Sequence, residues 1–165
     1  MSKSRDIADS AATINYIDTL TSAAQSQINT ANVNIATKAP LSNPTFTGTT
    51  TLVGVDEAYN IVTSTTNATT VDLDTGTNFS HTLTEATTFT FSNPAASGSV
   101  SSFTLKIVQD ASASGFTVTW PAAVDWAAAT APTLTATASA VDYFVFITHD
   151  GGTTYYGFTA GQAMG

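Results

Sequence analysis

The chain holds two histidines and no cysteine, so acid–base or metal chemistry has to be assembled from His81, His149 and the carboxylates. His149 stands in "THDGGTT" beside Asp150 and ahead of Gly151 and Gly152, an arrangement that suits a metal corner or a general base. The same stretch follows an apolar run, and Asp-Gly supplies the positive φ angles of a hairpin turn. The turn is the stronger reading. His81 in "NFSHTLT" alternates with Phe79 and Leu83 and is expected as a strand residue at a sheet surface. Asp72, Asp74 and Gly76 in "VDLDTG" open like a calcium loop, but Leu83 occupies the twelfth position, where such a loop needs an acidic ligand. No GxSxG, P-loop, HExxH or CxxC pattern is present. No carboxylate pair is singled out for glycan hydrolysis. The chain is expected to be no enzyme and to use neither metal nor cofactor.

A different chemistry is offered by Trp120 and Trp126 in "TWPAAVDWAAATAP", together with Tyr155 and Tyr156. Such rings make a stacking platform for sugars, with Trp126, Tyr155 and Tyr156 as the receptor-contact candidates. Core packing is the stronger reading for the tryptophans, because each contributes a large apolar area to a small domain.

These residues have to be positioned by a chain of 165 residues, enough for one ordinary domain and an extension. Charged residues make up 10%, far below the quarter typical of soluble domains, yet 42% hydrophobic and 10% aromatic residues suffice for a sizeable core. No window approaches the roughly 18 consecutive apolar residues of a membrane span, so membrane insertion is not expected. The net charge of −8 is uneven. Residues 1–38 balance Lys3, Arg5 and Lys38 against Asp6, Asp9 and Asp18, whereas residues 39–165 set Lys106 alone against nine acids. A nucleic-acid binder shows the opposite sign and clustered Lys or Arg. That class is excluded. "MSKSRDIADS" lacks the apolar core of a secretory signal, so synthesis and assembly are expected in a cytoplasm.

From Ile7, residues recur at seven-residue intervals: Ile7, Ile14, Thr21, Ile28 and Ile35, with Ile17, Ala24 and Ala31 at the intermediate d-like sites. Ser22 followed by Gln25 forms a capping-box pattern, which predicts the clearest helix over 22–37, the preceding segment being helical or extended. Such a helix is marginal alone. Its Ile28, Ala31 and Ile35 face needs a partner, either the chain's own C-terminal domain or a parallel bundle of identical chains. Pro40 and Pro44 cannot continue a helix and send the chain onward in extended form, which favours the bundle.

Beyond Gly48, Thr49 to Val55 is expected to open the β region. Phe103, Leu105 and Ile107 alternate with Thr104, Lys106 and Val108, and Phe116, Val118 and Trp120 with Thr117 and Thr119. Phe89 and Phe91 flank Thr90. "SNPAASG", "QDASASG" and "THDGG" supply turns between runs. "VDYFVFITHD" is apolar on both faces and reads as a central strand. The pattern predicts an antiparallel β-sandwich or jelly roll over about 66–160.

The joint "KAPLSNPTFTGTTTL" closely resembles one found in bacteriophage tail fibres and related virion appendages, where it links a helical segment to a β-structured shaft. The preceding "INYIDTLTSAAQSQINTA" is similar to the helical repeat before that joint. "TFTFSNPAASGSVSSFTLKIVQDASASGFTVTWPAAVDWAAATAPTLT" and "DYFVFITHDGGTTYYGF" are similar to a terminal β domain of phage structural proteins, notably from marine phages. The similar stretches cover residues 14–52 and about 70–159. This resemblance implies a homotrimer with its N-terminus fixed to a capsid or tail protein and its C-terminus outermost. One copy of the joint and no long shaft favour a short spike or capsid decoration over a long fibre.

The expected organisation is a mainly β protein with a short N-terminal helix as a coiled-coil-like neck. Residues 1–38 form the attachment foot and neck, 39–65 a Pro/Thr-rich transition, and 66–165 the sandwich head. Lys3, Arg5, Ile7, Ile14 and Ile17 are expected to attach to the particle, and Ile28, Ala31 and Ile35 to join three chains. The expected location is the virion, the expected role a short fibre or spike that assists host adsorption. The alternatives are a decoration protein without receptor role and a head that binds a host surface glycan or protein.

Overall fold

The computed structural model describes residues 3–36, 46 and 48–165, with the side chains of 4–6 and 32–36 outside that description. The chain forms two compact units, Met1–Val53 and Gly54–Gly165.

In the first unit one helix, α1 (Lys3–Ala36), runs without interruption for 34 residues, about 51 Å at the usual rise. It therefore begins well before the expected start at Ser22. The capping box goes unused because Gln25 turns forward, its Nε2 donating to Asn29 Oδ1 at 2.8 Å. Threonines that could compete with the helix are absorbed into it. The hydroxyls of Thr13, Thr19, Thr21 and Thr30 donate to the carbonyls of Asp9, Asn15, Ile17 and Ser26, each four residues back, which satisfies them without breaking the backbone ladder. Ala8, Ala11 and Ala12 add strong helix propensity to the first turns.

The second unit is β structure: β1 (Tyr59–Ile61), β2 (Ala68–Asp72), β3 (Asn78–Thr82), β4 (Thr87–Ser92), β5 (Ser101–Val108), β6 (Val118–Thr119), β7 (Val124–Trp126), β8 (Val141–Thr148) and β9 (Tyr155–Met164). Two sheets result, one of six strands in the order β1-β3-β5-β8-β9-β7 and one of three in the order β2-β4-β6. The mainly β, two-sheet sandwich-like arrangement agrees with the sequence reading.

The ladders are mixed, not antiparallel throughout. From β1 to β6 the chain alternates between the sheets, so strands that neighbour within a sheet run parallel. Tyr59 pairs with Asn78 and Ala68 with Thr88, so one circuit takes about twenty residues. Parallel neighbours need a crossover, and here each crossover is the strand of the opposite sheet. Antiparallel β8 and β9 then complete the large sheet on β5. Thr49 to Val55 contributes no strand, and its Leu52, Val53 and Val55 are exposed. The first ladder begins at Tyr59, inside the expected transition, where β3 first offers a partner.

Between the sheets lies an aromatic core. Phe103 and Phe146 stack at 5.0 Å, and Phe91 meets both edge-on at 4.9 Å. Trp120 stacks on Phe89 at 5.6 Å and meets Trp126 at 5.3 Å. Val71, Leu105, Ile107 and Phe144 are fully buried among them.

One close approach fixes the Trp126 ring. A Cβ at Gly157 would stand 2.8 Å from its Cε3 and Cζ3 atoms. Gly157→Ala is expected to cost roughly 1–3 kcal/mol by overpacking and to change the tryptophan fluorescence of the folded head. An unaltered spectrum with an unaltered unfolding midpoint would refute that packing.

Candidate functional site

The histidines turn out to be structural or solitary. His81 is 1% exposed, not at the surface: Phe79 and Leu83, each two residues away, share its face and carry it inward. Its Nδ1 donates to the Val62 carbonyl at 2.9 Å, and Nε2 lies 3.3 Å from Thr87 Oγ1. The ring meets Phe89 edge-on at 5.3 Å. His149 is exposed, with Tyr156 as its ring neighbour at 6.4 Å.

"THDGGTT" is the β8–β9 turn, with Gly151 at φ 71° and Gly152 at φ 82°. Asp150 organises it, its Oδ1 accepting from the Thr154 amide at 3.0 Å and from the Thr148 hydroxyl at 2.9 Å. The Thr154 amide, against an opposing desolvation and with help from Thr148, holds the Asp150 carboxyl below its usual range. Asp110 organises the "QDASASG" loop in the same way. Desolvation pushes its carboxyl upward, but bonds from the Ser114 hydroxyl and amide and from the Ser112 amide together outweigh it and lower the value.

Asp72 Oδ1 accepts from the Asp74 amide at 3.1 Å and from Asn93 Nδ2 at 2.8 Å, closing a turn after β2. Among the described residues no three His, Asp or Glu side chains gather as a metal site.

Trp126 and Tyr155, two of the three receptor candidates, belong to the core at 9% and 3% exposed. Burial pushes the Tyr155 phenol above its usual range, with the Asp150 charge adding to it. The third candidate, Tyr156, is exposed on the outer side of β9. Two positions on, Phe158 is exposed on the same side, a neighbour that strand alternation alone would have supplied. In register with Tyr156 across the β7–β9 ladder stands the exposed Asp125. Asp125, Trp126, Tyr156 and Phe158 border a cavity of about 380 Å³ whose remaining wall is Gly157 and the tight turn at Ala127–Ala129. Ala128 and Ala129 hold φ of 55° and 52° there, left-handed geometry that costs a non-glycine residue free energy. The result is a shallow aromatic pocket with one carboxylate, suited to stacking and hydroxyl donation by a ligand.

The helix presents the second feature. Ile7, Ile14, Ile17 and Ile28 are each more than half exposed, and Lys3 and Ala31 are exposed as well. Leu20, flanking the stripe, is also exposed. The side chains of Arg5 and Ile35 lie outside the described residues, as do 37–45, the greater part of the proline joint. No described helix is long and apolar enough to cross a membrane.

Comparison with protein-family models, curated proteins and solved structures returns no match. The functional reading therefore rests on the residues themselves and on the resemblance carried by the joint and the β domain.

Proposed function

We propose that this chain is a structural protein of a bacteriophage particle, a short homotrimeric fibre or spike. Its N-terminal residues, with Lys3, Arg5, Ile7, Ile14 and Ile17, hold a capsid or tail protein, and its head faces outward and assists adsorption to the host. The observation that carries this reading is the helix itself. Ile7, Ile14 and Ile28 stand exposed at heptad positions of a 34-residue helix, with Thr21 between them, and an isolated helix with such a seam gains its stability by burying it. Isoleucine at core sites is compatible with a three-stranded bundle, the number that the resemblance implies. The head works by binding and assembly, without catalysis.

Light scattering tests the assembly. The full chain is expected at three times the 17.0 kDa of one copy, and an Ile14→Asp, Ile28→Asp variant at the mass of one copy. A full chain that stays single at every concentration sinks the neck. For the location, an antibody to the head should decorate purified particles at fixed positions.

A second reading is favoured by the Tyr156–Phe158–Asp125 pocket: a head that takes a neutral glycan at the host surface. Aromatic stacking supplies modest affinity per site, and three copies on one spike multiply it through avidity.

A further inference from the structure

The run "VDYFVFIT" is apolar on both faces, yet the two-sheet core covers only one of them. Asp142, Phe144, Phe146 and Thr148 are buried inward, while Tyr143, Val145 and Ile147 line the outer side of the large sheet. Strand registry extends this outer patch. Val145 lies opposite Phe158 and Ile147 opposite Tyr156 on β9, and the three outer rings Tyr143, Tyr156 and Phe158 are 36%, 45% and 52% exposed. Those rings alone leave on the order of 250 Å² of aromatic surface open, an apolar centre for an interface of about 800 Å² per partner.

The borders of the patch carry opposite charges. On the β5 side Lys106 stands in register with Tyr143, and on the β7 side Asp125 stands in register with Tyr156. Lys106 is the sole cation of residues 39–165. Strand spacing and rise put the two about 19 Å apart within one chain. Glu57, farther out on the polar side, is taken up by Thr77 and Asn78. Sheet twist of about 20–25° per strand turns β3 and β1 away from the β8–β9 plane.

We propose that the outer face of β8 and β9, and with it the Tyr156–Phe158–Asp125 pocket, is covered by the head of a neighbouring copy of this chain and not by a glycan, in a head-to-tail contact that sets Lys106 of one copy against Asp125 of the next. The two borders of the face are opposite in charge, so the Lys106 border of one copy matches the Asp125 border of the next. A head-to-tail contact closes in a ring of three when each copy is turned by a third of a circle from the last, so the inference rests on the trimeric reading above.

Two measurements on the full chain test it. A zero-length carbodiimide is applied to a mixture of ¹⁴N- and ¹⁵N-labelled chains, and a mixed-isotope Lys106–Asp125 peptide is expected, a bond that 19 Å forbids within one copy. Hydroxyl-radical labelling of Tyr143, Tyr156 and Phe158 is expected to be several-fold lower in the assembled chain than in the Ile14→Asp, Ile28→Asp variant. A trimer whose rings label as freely as in that variant, with no mixed Lys106–Asp125 product, overturns this contact and leaves the neck standing. A single-copy full chain with freely labelled rings overturns both. Protection that persists in the single-copy variant shows that the rings are covered without a neighbour and overturns the contact between copies.

Discussion

Asp142→Leu is expected to lower the unfolding free energy of the head by about 3–5 kcal/mol. The carboxylate is 2% exposed and has no cation beside it among the described residues. It is held by donors: Oδ2 accepts from the Thr135 amide at 2.7 Å, and Oδ1 from the Thr135 hydroxyl at 2.8 Å and the Ala163 amide at 3.0 Å. The register shift between β8 and β9 falls at this residue, so Asp142 accepts a backbone amide of β9 where the ladder is irregular. Leucine would strand two backbone amides whose bonds to Asp142 are part-buried, and each donor orphaned from water costs about 1–3 kcal/mol. Asp142→Asn keeps one acceptor oxygen and should fall between the two. Urea unfolding followed by far-UV circular dichroism measures both. A leucine variant within 1 kcal/mol of the parent would show that the clasp contributes little.

Phe146→Ala should weaken the head by a comparable amount, about 3–5 kcal/mol, the usual range for emptying a buried phenylalanine site. Its side chain is fully buried, stacked on Phe103 and within 5.6 Å of Phe91, Trp120 and Trp126. Rings from both sheets meet on it, so the cavity left behind cannot close by moving one element. Phe146→Leu, which refills most of the volume, should recover more than half of the loss. Equal midpoints for the alanine and leucine variants would mean that the neighbouring rings collapse into the space, contrary to a close-packed core.

Much of this architecture is legible in the residues, and the illegible part has a physical reason. The alternation of Phe103, Leu105 and Ile107 with Thr104 and Lys106 fixes which face of β5 is inward, and the structure buries those three. Alternation is the same for a parallel and an antiparallel strand, so it carries no sign of partner direction. "SNPAASG" reads as a turn and is one in part, Ser99 donating its amide to the Ala96 carbonyl at 3.0 Å, but it carries the chain from one sheet to the other. The helix start was misleading for a comparable reason. Ser22 and Gln25 have cap chemistry, but a cap acts only where the helix would otherwise end, and the nearby threonine hydroxyls find acceptors inside the helix instead of ending it. Of the pocket, Tyr156 is visible in the sequence as an aromatic near a turn, whereas Asp125 joins it only through the β7–β9 pairing, a contact between residues thirty positions apart.

The placement of β9 also sets a timetable. It lies inside the large sheet, between β8 and β7, so β7 has no ladder partner until residues 155–157 are available. About 120 residues separate the end of α1 from that point. At ribosomal rates of roughly 5–20 residues per second, the helix is made some 6–24 seconds before the head can close. In the trimer proposed above, chains growing side by side on one messenger would have their helices free to meet while each head is still incomplete, so registration of the copies would come before completion of the part they carry.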